Sequence, residues 1–154
     1  MPRYNVNYND LWACFSSICD NFITRFTDKQ SYENWRKEEY GLRDYEPAEK
    51  RNMMSMEDAV HSIRLNRTKE DTIQCLLDAG FFKATSMRLV YEIEQKYFAP
   101  RLRDDGSYCC PNCSATVTKN QARCNVESCE IELVWSKPNK MILLKKEECD
   151  ERDL

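Results

Sequence analysis

Through "NDLWACFSSICDNFITRF", Leu11, Phe15, Ile18, Phe22 and Phe26 recur every three or four residues, and Trp12, Cys19 and Ile23 widen the stripe. That period predicts an amphipathic helix with a broad buried face. Asn9 or Asp10 would cap its start by accepting free backbone N–H groups. A second helix is expected over 31–40, carrying Tyr32 and Trp35 and ended by Gly41. Pro47 suits the first turn of a third, where its missing N–H costs nothing. That helix restarts at Ser55-Met56-Glu57-Asp58, a capping-box variant, and reaches Leu65. Thr68 opens a fourth, with Ile73, Leu76 and Leu77 on its apolar side and a stop near Gly80. The last spans 85–98, lined by Leu89, Val90, Ile93 and Tyr97. It ends at Ala99-Pro100, because the residue before proline avoids the helical region.

After the polar stretch "RLRDDG" the period changes. "EIELVW" alternates Ile131, Leu133 and Trp135 with charged or smaller neighbours, as a strand does. "KPN" then turns the chain into "KMILLK", a second strand. The expected organisation is a helical domain over 1–100, a linker over 101–106, a small β module over 107–146 and a charged tail over 147–154.

Composition narrows the partners. With 42% apolar residues in 154, the chain can bury a core. Its 23 basic and 26 acidic side chains give a formal charge of −3 and are mixed throughout. No segment has the cationic excess that a phosphate backbone demands, so nucleic acid is not the expected partner. No apolar run approaches the roughly 20 residues that cross a bilayer. The opening "MPRYNVNYNDLW" lacks a secretory pattern. A soluble intracellular chain in a reducing compartment, cytoplasm or nucleus, is therefore expected, and its nine cysteines read as thiols rather than disulfides.

Five of those cysteines fall between Tyr108 and Trp135. Cys110-Pro111-Asn112-Cys113 is a C-x2-C turn, which lets two sulfurs converge on one ion. Ten residues on, Cys124 and Cys129 form a C-x4-C pair. Cys110, Cys113, Cys124 and Cys129 together supply four thiolates for tetrahedral Zn²⁺. Cys109 offers a competing C-x3-C pairing with Cys113; C-x2-C is the commoner geometry, so Cys110 is assigned. The bland alternative is a small β element with buried free thiols. Thioredoxin-like redox chemistry is disfavoured, because its C-x-x-C opens a helix beside a βαβ unit. Catalytic zinc usually takes His or carboxylate ligands and keeps an open position. The single histidine, His61, lies about fifty residues upstream on a predicted helix. The zinc is therefore expected to be structural.

Other features read as packing. Cys14 and Cys19 are five apart on the predicted first helix, and so do not share a face. Met53, Met54 and Met56 read as a core edge. "DTIQCLLDAGFFKATSMRLVYEI" has a helix–turn–helix look, but its second half sets Lys83, Arg88 and Lys96 against Glu92 and Glu94. No phosphate loop, dinucleotide turn, nucleophile elbow or carboxylate pair is present.

The two cysteine turns, each followed by strand-like sequence, resemble a zinc ribbon over roughly 106–144. The fold class is then a mainly α amino-terminal domain plus a small antiparallel β, zinc-ribbon-like carboxyl-terminal module, α+β overall. The order helical domain, linker, "YCCPNC" also resembles the large subunit of the general transcription factor that recruits the promoter-melting helicase. "YGLRDYEPAEKRNMMSMEDAVHSIRL" is similar to the ubiquinol–cytochrome c reductase binding subunit. That resemblance implies a matrix-side accessory subunit of a mitochondrial respiratory complex. The main expectation is a zinc-stabilised, non-catalytic subunit or adaptor that docks on protein subunits of a larger complex; the reductase-like subunit, whose family has no four-cysteine site, is an alternative. The transcription-factor resemblance implies a transcription-type factor associated with nucleic acid.

Overall fold

The computed structural model describes residues 3–41 and 45–135. It divides into two units, 1–82 and 83–154. The "KMILLK" strand and the charged tail lie outside the described residues.

The first unit opens with strands, which corrects the mainly helical expectation for this end of the chain. β1 (Arg3–Tyr8), β2 (Leu11–Ser16) and β3 (Asn21–Phe22) form an antiparallel sheet in that order. Tyr8 pairs with Leu11 across a two-residue turn. Asn9 and Asp10 in that turn have φ of 51° and 65°. Left-handed conformation at both central residues matches the right-handed twist of the strands. The two residues expected to cap a helix therefore reverse a hairpin. β2 is buried from Trp12 to Ser16, on both faces. A strand covered on both sides reads as an unbroken apolar run, which periodicity cannot tell from a helix.

The aromatic residues of the supposed helical stripe do meet, by another route. Phe15 pairs with Phe22 across β2 and β3. Their rings pack edge to face at 5.6 Å. The contacts continue through Phe26 and Phe81 to Tyr8. Ile18 does not join them and is 76% exposed. Cys14 is buried in β2, whereas Cys19 is exposed in the following turn.

The turn chemistry yields a test whose sign separates the two folds. Replacing Asp10 by glycine in a hairpin turn removes the left-handed penalty of roughly 1–2 kcal/mol and should raise stability. At the start of a helix, where Asp10 would act as the cap, the same change would lower it by roughly 0.3 kcal/mol. Urea unfolding of Asp10→Gly beside wild type reads the sign.

Three helices follow in the first unit. α1 (Lys29–Tyr40) starts at Asp28, whose carboxylate accepts from the Ser31 N–H at 2.8 Å. It ends at Gly41, with φ 86°. Pro47 precedes only a short 3-10 turn, Ala48–Lys50. α2 (Met56–Asn66) is capped by Ser55 and α3 (Lys69–Asp78) by Thr68; each side chain accepts from the N–H three residues on. α1 packs on β2 and α2 on β1.

Asn5 ties β1 to the segment between α1 and α2. Its backbone N–H donates to the Asn52 carbonyl and its own carbonyl accepts from Met54. Its side-chain amide donates to the carbonyls of Ala48 and Arg51 and accepts from the Tyr32 hydroxyl. Met56 is buried, Met53 exposed and Met54 half-buried.

The second unit begins with α4 (Lys83–Tyr97). β4 (Arg101–Leu102), β5 (Tyr108–Cys109) and β6 (Thr116–Val117) then form a second antiparallel sheet in that order. Beyond β6, "EIELVW" forms no strand. It makes a single bridge, Glu132 to Arg123, with the Leu133 N–H donating to Ala122 at 2.8 Å. The Val134 N–H donates to the Phe98 carbonyl, fastening this segment to the end of α4.

Candidate metal centre

Two turns build the site, and they share a pattern. In the first, the Cys110 N–H donates to Ala115 at 2.8 Å and the Ser114 N–H returns to Cys110 at 3.0 Å. Ser114, just after the second cysteine, has φ 64°. In the second, the Cys124 N–H donates to Ile131 at 3.0 Å and the Glu130 N–H returns to Val126 at 3.0 Å. Glu130, again just after the cysteine, has φ 50°. Val126 thus holds the backbone place that Cys110 holds in the first turn. The flanking bond spans five residues in one turn and seven in the other. The two extra residues of the C-x4-C spacing are absorbed inside the loop, and Cys124 keeps its sulfur at the centre.

The sulfurs of Cys110, Cys113, Cys124 and Cys129 all lie within 4.8 Å of one another. Cys110 Sγ is 3.7 Å from Cys129 Sγ, and Cys113 Sγ is 3.5 Å from Cys124 Sγ. Four sulfurs at about 2.3 Å from a tetrahedral ion are about 3.8 Å apart. The cluster therefore fits a divalent metal with little movement. Cys109 lies outside it. Residues alternate across a strand, so Tyr108 and Cys110 share one face and Cys109 takes the other.

Below the sulfurs lies a small apolar core of Cys110, Val117, Cys124 and Leu133, with Tyr108, Val126, Cys129, Ile131 and Trp135 against it. Tyr108 meets Trp135 edge to face at 5.1 Å, and the Trp135 indole N–H donates to the Gln121 carbonyl at 2.8 Å. On the outside, the Arg103 guanidinium donates to the Ser114 carbonyl and the Thr116 hydroxyl.

The four thiols do not titrate alike. Burial pushes Cys110 up. At Cys124 the Val126 backbone N–H pulls the other way, but burial and the surrounding thiols outweigh it and push the group up to about 12. At Cys129 burial is outweighed by hydrogen bonds from the Asn112 amide, the Ile131 N–H and neighbouring thiols, which hold it down at about 7. Crowded thiols resist ionising together, because each new thiolate faces the last. A divalent cation at their centre removes that opposition, and binding it releases protons.

His61, the one histidine, sits in α2 of the first unit. Burial pushes its imidazole below the ordinary value. The metal-capable cluster found among the described residues contains neither histidine nor carboxylate. No helix among the described residues is long and apolar enough to cross a membrane.

Sequence reasoning missed Asn112. Its backbone N–H lies 3.4 Å from Cys110 Sγ, and its side-chain amide 3.3 Å from Cys129 Sγ. No spacing rule marks such a residue, because its second partner is seventeen residues away.

Set against known proteins, the chain matches no family model, no curated protein and no solved structure. The resemblances to the transcription-factor subunit and to the reductase binding subunit therefore rest on the quoted motifs alone.

Proposed function

We propose that the protein is a non-catalytic accessory subunit or adaptor of a larger protein assembly, whose carboxyl-terminal unit is a zinc-ribbon-like module held by structural Zn²⁺. The observation that carries the reading is the convergence of the Cys110, Cys113, Cys124 and Cys129 sulfurs, all within 4.8 Å of one another. A ligand set of four thiolates leaves no open position for substrate, which is the mark of a structural site. The two cysteine turns, built alike and lying over one small core, support the ribbon-like reading.

The metal's role follows from size. A module of this length cannot bury enough apolar surface to hold itself together, and an ion at its centre supplies the missing stabilisation. The balanced charge favours protein over nucleic acid as the partner. Thiolates held as metal ligands persist in reducing surroundings, which suits the cytoplasm or nucleus.

Four-sulfur sites suit iron as well as zinc, and absorption separates them. A zinc protein is colourless, since Zn²⁺ has a filled d shell. The subunit reading is tested by isolating the full chain from its native source under gentle conditions. One protein partner set at fixed stoichiometry is expected, and high salt should not strip it. Salt-sensitive retention of DNA or RNA in place of protein would contradict the reading.

A further inference from the structure

Asn112 is exposed on the first cysteine turn, yet it addresses sulfurs of both turns. Its backbone N–H is directed at Cys110, its own neighbour in the C-P-N-C turn. Its side-chain amide reaches Cys129 of the second turn. Those two sulfurs are themselves 3.7 Å apart. From this geometry we infer that Asn112 is a positioning residue for the metal centre: its amide fixes Cys129 against the first turn and donates to the bound thiolate. The inference rests on the metal-centre reading above.

The chemistry favours an amide at this position. Four thiolates around one divalent ion leave a net charge near −2 at the protein surface. A hydrogen bond to a charged acceptor is about twice as strong as a neutral one. The Asn112 N–H disperses that charge without competing as a ligand. It also holds Cys129 close to its bound position, so less freedom is lost when the ion arrives. Residues of this kind set affinity without touching the metal, and losing one typically costs about 10–100-fold.

Two substitutions separate donation from mere space filling. Asn112→Ala removes the amide. Asn112→Asp keeps the shape but places a charged acceptor beside a thiolate. Zn²⁺ affinity of the full chain, measured by competition with a chromophoric chelator, is expected to fall about 10-fold in the first and nearer 100-fold in the second. The Co²⁺-loaded protein adds a spectroscopic readout. Loss of the N–H raises the energy of the Cys129 sulfur lone pair, so the sulfur-to-cobalt charge-transfer band should move to longer wavelength in Asn112→Ala. Because Asn112 is exposed, neither change removes core packing. Unchanged affinity in Asn112→Asp together with an unmoved band in Asn112→Ala would overturn the inference and leave the metal centre standing. Failure of the wild-type chain to bind either Zn²⁺ or Co²⁺ would overturn the metal centre itself, and this inference with it.

Discussion

Cys124→Ser is expected to unfold the cysteine turns of the second unit while the first unit stays folded. Cys124 is 2% exposed and lies both in the small core and among the four sulfurs. Serine cannot replace a thiolate as a zinc ligand at neutral pH. Structural zinc contributes an apparent ~10–16 kcal/mol in small zinc peptides, far beyond what Val117, Leu133 and their neighbours supply by burial. Hydrogen exchange read peptide by peptide is the measurement. The amides of Cys110, Cys124 and Leu133, which close the two turns, should lose protection. Those of Val6 and Ala13, paired between β1 and β2, should keep it. Cys109→Ser provides the control, and its exchange pattern should match wild type.

The second large effect lies in the first unit. Glu33 in α1 is 8% exposed, and the Lys29 ammonium lies 3.5 Å from its carboxylate. Its carboxylate accepts from Arg36 at 2.7 Å, from the Ala48 N–H at 2.8 Å and from the Tyr45 hydroxyl. Glu33→Ala takes the counter-charge from a buried guanidinium, which keeps its bond to the Glu46 carbonyl, and leaves the Ala48 amide without its acceptor; removing one member of a buried pair typically costs about 3–5 kcal/mol. Urea unfolding should show that loss. Glu39→Ala, which breaks only the half-exposed pair with Arg3, should cost about 0–1 kcal/mol. A loss from Glu33→Ala as small as that would mean the carboxylate is solvated rather than buried.

The same group sets a pH dependence. Burial pushes the Glu33 carboxyl up, but the bonds from Tyr45, Ala48 and Arg36 outweigh it and leave its value below the ordinary one. A carboxylate depressed on folding contributes stability that is fully present above its unfolded pKa. That contribution is lost as pH falls through the folded value. The first unit should therefore weaken on acidification, and Glu33→Ala should flatten that slope.

Particular residues show where the sequence was legible. The starts of α2 and α3 were readable because Ser55 and Thr68 carry their signal within three residues. Gly41 marked the end of α1 for the same local reason. The four cysteines were readable because metal-ligand spacing is a short-range rule. The opening hairpin was not. Leu11, Phe15, Phe22 and Phe26 fall at helical intervals, and Asn9-Asp10 suits a cap as well as a turn. What decided the matter is pairing across the chain, through Val6 with Ala13 and Trp12 with Thr27. Asn5 was illegible as well, since it works through Ala48, Arg51 and Tyr32, between 27 and 46 residues away.

Everything proposed for the carboxyl-terminal unit depends on an ion among four sulfurs. Elemental analysis of the natively purified chain, repeated after a strong chelator and followed by a melting curve, tests it most directly. The account predicts one zinc per chain, lost on chelation together with the folded state of the cysteine turns. A metal-free chain whose melting temperature the chelator leaves unmoved would contradict it.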